Sequence, residues 1–205
     1  MLRGYLHLLA FLVSVPAGIA LVRAARDGTG RTAAAVFSFG LFAQYGVSSA
    51  YHRLTWRAPA RRNMRRADHS TIFVLIATTY TAVALLVFTP TWQRVLLALV
   101  WAGAVMGIVL KVFFLDSSTK LAGTMYIVLG WAAIIAAPQF ATRAPARAIA
   151  LIVGGGVLYT AGAIVFALRR PNPVPMVFGF HEIWHVMVVA ASVCHYAAIR
   201  LLLTS

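Results

Sequence analysis

The chain has few acidic residues and few charges of any kind. Only four of its 205 residues are Asp or Glu, and charged residues make up 11% of the sequence, against roughly 25% in soluble domains. With 61% hydrophobic residues as well, this composition excludes a soluble globular domain. The single cysteine, Cys194, excludes an intrachain disulfide, and we interpret it as a packing residue in an apolar helix.

The apolar residues are gathered into seven blocks of about 17 to 25 residues, the length that a helix needs to cross the hydrocarbon core of a bilayer. The blocks cover residues 5–22, 33–51, 70–88, 95–115, 121–137, 148–168 and 178–203. Backbone groups in lipid must be hydrogen-bonded internally, and the blocks lack the alternating polar residues of barrel strands. We therefore predict an all-α integral membrane protein with seven transmembrane helices in one domain, 1–205. The first block follows a basic start as a signal peptide does, but we expect it to be retained because its apolar stretch is long and more spans follow.

The basic residues give the chain a formal charge of +14. Nucleic-acid-binding proteins can carry such a charge, but in membrane proteins Arg and Lys gather in cytoplasmic loops, so we expect no nucleic-acid partner. With the N-terminus inside, eleven Lys and Arg lie on the cytoplasmic side and seven outside, and the largest group is in "RLTWRAPARRNMRR". This bias predicts a cytoplasmic N-terminus and an external C-terminus. The same loop could also bind anionic lipid headgroups.

Ionisable residues at membrane depth are costly and usually functional. Ser48 and His52 are four residues apart at the end of the second block, and His181 and His185 are four apart at the start of the seventh, so each pair shares one helix face. Asp68 lies where the third block begins. The second span ends on the side of the membrane where the third and seventh begin, which predicts that all these side chains lie in one leaflet. Three histidines are typical of a catalytic zinc centre, and the carboxylate could orient or deprotonate its water.

Two other interpretations remain open. His181, Glu182 and His185 form H-E-x-x-H, in which a metalloprotease uses both histidines to bind zinc and the glutamate as general base. Intramembrane metalloproteases are similar in carrying this motif in a span, but they add an Asp-bearing motif in a later helix, and here no acidic residue follows Glu182. A histidine on an apolar helix face can also be a hydrogen-bonded core residue without a ligand.

The remaining histidines are not assigned to the site. His195 lies about 15 Å along the helix from His185 at 1.5 Å per residue, and we interpret it as structural. His7 stands alone in the first block. His69 points about 100° away from its neighbour Asp68.

Three stretches of the sequence together resemble a known family: "SSAYH" (48–52), "RRADHSTIFVLIATTYT" (65–81) and "GFHEIWHVMVVAASVCH" (179–195). In this order and in these spans, they are similar to the hemolysin III-type members of the progestin and adipoQ receptor family, which includes the adiponectin receptors. The resemblance covers nearly the whole chain. It implies seven helices with the N-terminus inside and a zinc ion near the cytoplasmic side.

The zinc ligands that the resemblance implies by position are His52, His181 and His185. It further implies that Asp68 holds the water at the metal and that Ser48 supports this aspartate. Some members carry a glutamate four residues before the motif serine, where this chain has Gln44, so a carboxylate role is excluded there. Receptor-type members can have glutamine at the position of Glu182, which indicates that this glutamate is dispensable to the site.

By analogy with the ceramidase-like chemistry attributed to relatives, we expect a hydrolase of lipid amide or ester bonds, linked to membrane-lipid homeostasis. Zn²⁺ would be its cofactor, with Asp68 and Ser48 as the catalytic residues. Its partners would be membrane lipids, and its location the plasma membrane of a bacterium. A non-enzymatic membrane sensor or regulator with structural zinc is the main alternative, followed by a pore-forming hemolysin. The sequence leaves the substrate and the oligomeric state open.

Overall fold

A computed structural model describes residues 4–113, 119–175 and 177–204, and only the backbone of 119–122. These residues form α1 (Tyr5–Ala24), α2 (Gly28–Arg53), α3 (Ala58–Val87), α4 (Pro90–Phe113), α5 (Thr119–Gly130), a 3₁₀ helix (Ala132–Ala136), α6 (Ala137–Arg143), α7 (Ala146–Leu168) and α8 (Phe180–Thr204). No β-strand occurs among them, and seven of their segments are long and apolar enough to cross a membrane. The prediction of an all-α protein with seven membrane-spanning helices is confirmed.

The helices α2 and α3 form the centre of the bundle and are its most buried spans. They pack against each other, α1 covers α2, α4 covers α3, and α7 pairs with α8. Small residues allow the closest approaches: Gly40 of α2 faces Thr78 of α3, and Gly107 of α4 faces the ring of Phe73, where an added Cβ would clash. Lipid tails are as apolar as the side chains, so close dispersion contacts of this kind carry much of the association between membrane helices.

The third helix begins well before the apolar block that predicted it. It starts at Ala58, with Pro59 in its first turn, and runs through the basic stretch to Val87, so most of the segment assigned to a loop is helical. The predicted start at residue 70 differs because hydropathy reports where a helix enters lipid, whereas the hydrogen-bonded backbone begins outside it. As a result, Asp68 lies in the interior of α3 and not at its start.

The fifth span is interrupted in its middle. After Gly130 the backbone tightens into the 3₁₀ helix Ala132–Ala136, and α6 follows with Pro138 in its first turn. A break at membrane depth requires hydrogen-bond partners from a neighbouring element. Tyr80 of α3 provides them: its hydroxyl donates to the carbonyl of Gly130 (2.7 Å) and accepts from the N–H of Ala133 (2.9 Å).

The other helix ends lie within a few residues of the predicted ones. The second helix begins at Gly28 because the side chain of Asp27 accepts a hydrogen bond from the N–H of Gly30 at 2.6 Å, which caps the first turn. The predicted end of the fourth span at residue 115 lies outside the described residues.

Candidate metal centre

Three histidines converge at one end of the bundle. His52 lies in the last turn of α2, whereas His181 and His185 lie in the first two turns of α8 on a shared face. One ring nitrogen from each lies within 4.8 Å of those of the other two. His185 is buried and the other two are half-buried. These three side chains could hold a metal ion.

The spacing of one pair of ring nitrogens fits a tetrahedral ion. Zinc binds histidine nitrogen at about 2.0–2.1 Å, so two ligands of a tetrahedral zinc are about 3.3–3.4 Å apart. The Nε2 atoms of His52 and His181 are 3.3 Å apart. Imidazole suits zinc as well as copper, iron and nickel, and the tetrahedral preference of zinc agrees with this distance.

A carboxylate lies beside the histidines. Asp68 is buried in α3, and its Oδ2 is 3.7 Å from the Nε2 of His52. Ser48, one turn before His52 on α2, is also buried, and its side chain interacts with the Asp68 carboxylate. The structure thus brings together the three histidines, the aspartate and the serine that the sequence singled out. Contacts of this outer kind orient metal ligands and any water bound beside them.

A fourth histidine belongs to the same cluster. His7 of α1 is 1% exposed, and its Nδ1 lies 2.8 Å from the Oγ of Ser48. Its ring stacks on that of His185, with the centroids 3.8 Å apart, and meets the ring of Tyr45 edge-on. The expectation that His7 stands alone was therefore wrong. The signal for it was present, because the first span begins on the same side of the membrane as the third and the seventh.

The glutamate of H-E-x-x-H serves the backbone of its own helix. The Oε2 of Glu182 accepts a hydrogen bond from the N–H of Gly179 at 2.9 Å, and this N–H belongs to the residue just before α8. The Asn172 side chain accepts from the next N–H, that of Phe180, at 3.2 Å. A glutamate in the first turn that reaches back to the N-cap is half of a capping box. This contact explains a glutamate between the two histidines without a catalytic role.

The sequence profile of haemolysin-III-related proteins matches residues 1–196, which is nearly the whole chain. The chain belongs to this family.

Curated relatives agree with this haemolysin-III-related assignment. The chain is 31% identical to Hemolysin-3 of Bacillus cereus over 189 residues, covering 91% of this chain and 83% of that protein. It is 32% identical to the Hemolysin-3 homolog of Bacillus subtilis (strain 168), with 91% and 85% covered. The human Monocyte to macrophage differentiation factor is 21% identical over 199 residues, with 95% and 80% covered. No solved structure matches the chain.

Two of the candidate ligands of this haemolysin-III-related protein, His181 and His185, line a cavity of about 60 Å³, here called the site cavity. Side chains from α2, α3, α4, α5, α7 and α8 face it. Its polar lining residues are Ser48, Asp68, His69, Lys111, His181 and His185. The cavity therefore brings together two of the three candidate ligands, the carboxylate and a lysine.

A second cavity of about 80 Å³, here called the apolar groove, adjoins the site cavity. The two share Ile72, Tyr126, Ala163 and Trp184 as lining residues. Most of the other side chains along the groove are aliphatic or aromatic, and it extends along the helices as far as His195. A chain of methylene groups could therefore lie in the groove with its polar end at the histidines.

Besides His7, two further histidines lie outside the group of candidate ligands. The Nε2 of His195 is 3.2 Å from the carbonyl oxygen of Ile152, and its ring packs against Gly155, where an added Cβ would clash. His69 lines the site cavity, and its backbone carbonyl accepts a hydrogen bond from the Tyr126 hydroxyl at 3.0 Å. Among the residues that the structure describes, the group of potential ligands is limited to the three histidines of α2 and α8.

Proposed function

We propose that the protein is a zinc-dependent hydrolase that cleaves an amide or ester bond of a membrane lipid and thereby contributes to membrane-lipid homeostasis. The observation that carries this proposal is the convergence of three imidazoles within 4.8 Å of one another, one pair of them at the spacing of tetrahedral zinc, with a buried carboxylate 3.7 Å from one of them. Three histidines with a nearby carboxylate are the donor set of a hydrolytic zinc site.

The roles follow from position. His52, His181 and His185 would hold the ion, which when bound supplies Lewis acidity and lowers the pKa of a water toward about 7. Asp68 would accept the proton of the attacking water at its carboxylate oxygen and pass it to the leaving amine or alcohol. The new bond joins the water oxygen to the carbonyl carbon, and the bond from that carbon to the lipid nitrogen or oxygen breaks. Ser48 would keep the Asp68 carboxylate in place.

The apolar groove supports a lipid as the substrate. The groove is lined chiefly by apolar side chains and meets the site cavity at Ile72, Tyr126, Ala163 and Trp184. A lipid tail in the groove would exclude water along its length and hold the scissile carbonyl at the histidines. The membrane lipids themselves would therefore be the partners of this protein.

The distribution of basic residues supports a location of this chemistry on the cytoplasmic side of the membrane. Five arginines lie just before and in the first turns of α3, at the same end of the bundle as the histidines: Arg57, Arg61, Arg62, Arg65 and Arg66. Basic residues stay on the cytoplasmic side. We accordingly place the N-terminus and the candidate centre at the cytoplasmic leaflet of a plasma membrane, with the C-terminus outside.

The proposal is tested with purified protein in detergent, loaded with zinc and assayed against ceramides and phospholipids for release of fatty acid. We expect turnover by the wild type, none by His181→Ala, and wild-type turnover by Cys194→Ala, a half-buried residue on the same helix. Lack of turnover above the His181→Ala background on every lipid would refute the hydrolase.

A non-enzymatic membrane sensor with a structural metal is the second candidate. One observation favours it: the candidate ligands join the end of α2 to the start of α8, segments that are distant in sequence, as a structural cross-link would. An Asp68→Ala variant separates the two functions. If this variant keeps its zinc and full function in cells, the structural metal is favoured, whereas loss of function with zinc retained favours the hydrolase.

A further inference from the structure

Lys111, near the end of α4, is a buried lysine with no carboxylate partner among the described residues. Its side chain is 5% exposed and lines the site cavity. A lysine near the end of a membrane helix ordinarily extends its ammonium group into water, whereas this side chain faces the site cavity. Burying an ammonium group is costly unless an anion compensates its charge.

The described residues offer no carboxylate within ion-pair distance of the Lys111 ammonium. Asp68 lines the same cavity, but its Oδ2 lies 3.7 Å from the Nε2 of His52. The neighbour that acts on Lys111 is itself a cation: Arg65 is close enough to interact with it electrostatically. The lysine end of the site cavity therefore has a positive potential that favours an anion.

The shape of the adjoining space indicates what kind of anion fits. The site cavity adjoins the apolar groove and shares four lining residues with it, so a molecule that spans both would place a charged group at Lys111 and an aliphatic chain in the groove. Gly123 of α5 also lines the site cavity, and an added Cβ there would meet no atom of the described residues within 4 Å, so the cavity is open at this position. A free inorganic anion would leave the apolar groove unused.

We infer that Lys111 forms a subsite for the anionic headgroup of a membrane lipid, with a phosphate or carboxylate group as the recognised chemistry. If the bound lipid is the substrate, this inference rests on the proposed function and narrows the substrates to anionic lipids. Binding of the headgroup at Lys111 requires neither turnover nor a bound metal, so binding measurements alone can test the subsite.

The test measures the affinity of dodecyl phosphate, dodecanol and inorganic phosphate for the purified protein in a neutral maltoside detergent at fixed ionic strength. The variants are Lys111→Gln, Lys111→Met and Lys111→Arg. The matched control is Arg94→Gln, which removes one positive charge from the exposed, opposite end of the same helix. Thermal unfolding and zinc content identify which variants are folded, and Lys111→Met, with its similar length, substitutes for Lys111→Gln if the latter does not fold.

For the wild type, we expect dodecyl phosphate to bind at least tenfold more tightly than dodecanol or inorganic phosphate. Lys111→Gln and Lys111→Met should lose this preference for the phosphate headgroup, whereas Lys111→Arg and Arg94→Gln should keep it. Equal affinity of dodecyl phosphate for the wild type and Lys111→Gln would overturn the inference. Equal affinities for inorganic phosphate and dodecyl phosphate would overturn the inference that the ligand is a lipid.

The measurement is repeated on chelator-treated protein and on His181→Ala, because a phosphate could also bind to the metal. Retention of the preference there supports a subsite at Lys111, even if the protein proves to have no hydrolase activity. Loss of the preference on metal removal, with Lys111→Gln unaffected in the loaded protein, would assign the anion to the metal and overturn the inference.

Discussion

The imidazole of His7 lies flat against that of His185, with the ring planes 8° apart and the centroids separated by 3.8 Å. The two residues come from opposite ends of the chain, on α1 and α8. His7 also approaches Ser48 by its Nδ1, at 2.8 Å, and Ser48 in turn contacts Asp68. The first helix therefore supports a candidate ligand and the candidate base at once.

Replacing His7 should weaken the metal site. Outer contacts of metal ligands are worth about 10- to 100-fold in metal affinity, so we expect His7→Ala to lose zinc affinity in this range, measured by competition with a chelator. His7→Phe should recover only the part that comes from ring stacking. Ser14→Ala serves as the control, because Ser14 is buried on α1 but bonds only to the carbonyl of Phe11 in its own helix. Unchanged affinity in His7→Ala would show that the stacking is incidental.

Metal content tests the three-histidine centre directly. Detergent-purified wild type should carry about one zinc per chain, and His52→Ala far less, because a structural or catalytic zinc needs three to four protein ligands. His69→Ala is the matched control, since this histidine lines the same cavity but lies outside the ligand group. Equal zinc in the wild type and in His52→Ala would contradict a centre shared by α2 and α8.

Asp68→Asn should separate metal binding from turnover. The amide keeps the size of the side chain but cannot accept the proton, so zinc should stay bound while lipid hydrolysis falls by about 10²- to 10⁴-fold. Asp27→Asn removes a carboxylate at the cap of α2, where asparagine caps equally well, and should leave both properties unchanged. Full turnover by Asp68→Asn would exclude the aspartate as the base.

Glu182 variants distinguish helix capping from protease chemistry. Glutamine can occupy the same capping position, so Glu182→Gln should keep stability and lipid hydrolysis. Glu182→Ala loses the bond to the Gly179 N–H, and we expect it to lower the free energy of unfolding by about 0.5–2 kcal/mol, measured as a drop in the thermal transition. A metalloprotease mechanism predicts instead that Glu182→Gln abolishes activity.

Tyr80→Phe tests the break in the fifth span. Without the hydroxyl, the carbonyl of Gly130 and the N–H of Ala133 lose their shared partner, at a cost of about 1–3 kcal/mol. Hydrogen exchange at the Ala133 amide should accelerate, and the thermal transition should fall. Tyr5→Phe, with a half-exposed ring, is the control and should change neither quantity. Unaltered exchange at Ala133 would mean that another group satisfies this amide.

The alternating direction of successive spans and the spacing of residues along a helix together predicted much of the candidate site. His181 and His185 share a face because they are four residues apart, and the alternating direction of the spans predicts one leaflet for them, His52 and Asp68. The same rule predicts this leaflet for His7 as well, but a single histidine carries no spacing signal, so its contact with His185 could be found only in the tertiary structure. The capping role of Glu182 likewise depends on where α8 begins, which hydropathy does not resolve to one residue.

The sequence by itself determined the class of the protein and the depth of its polar residues, because the length of an apolar block and the period of a helix are local properties. Tertiary structure decided which helices are neighbours and how far apart their side chains lie. In the folded chain His7 stacks on His185, Tyr80 forms hydrogen bonds across the break in the fifth span, and Lys111 is buried beside the candidate centre. These results depend on packing between segments that are distant in the chain. Small residues permit close approach between two helices, but which helix lies opposite a small residue cannot be read from the sequence around it.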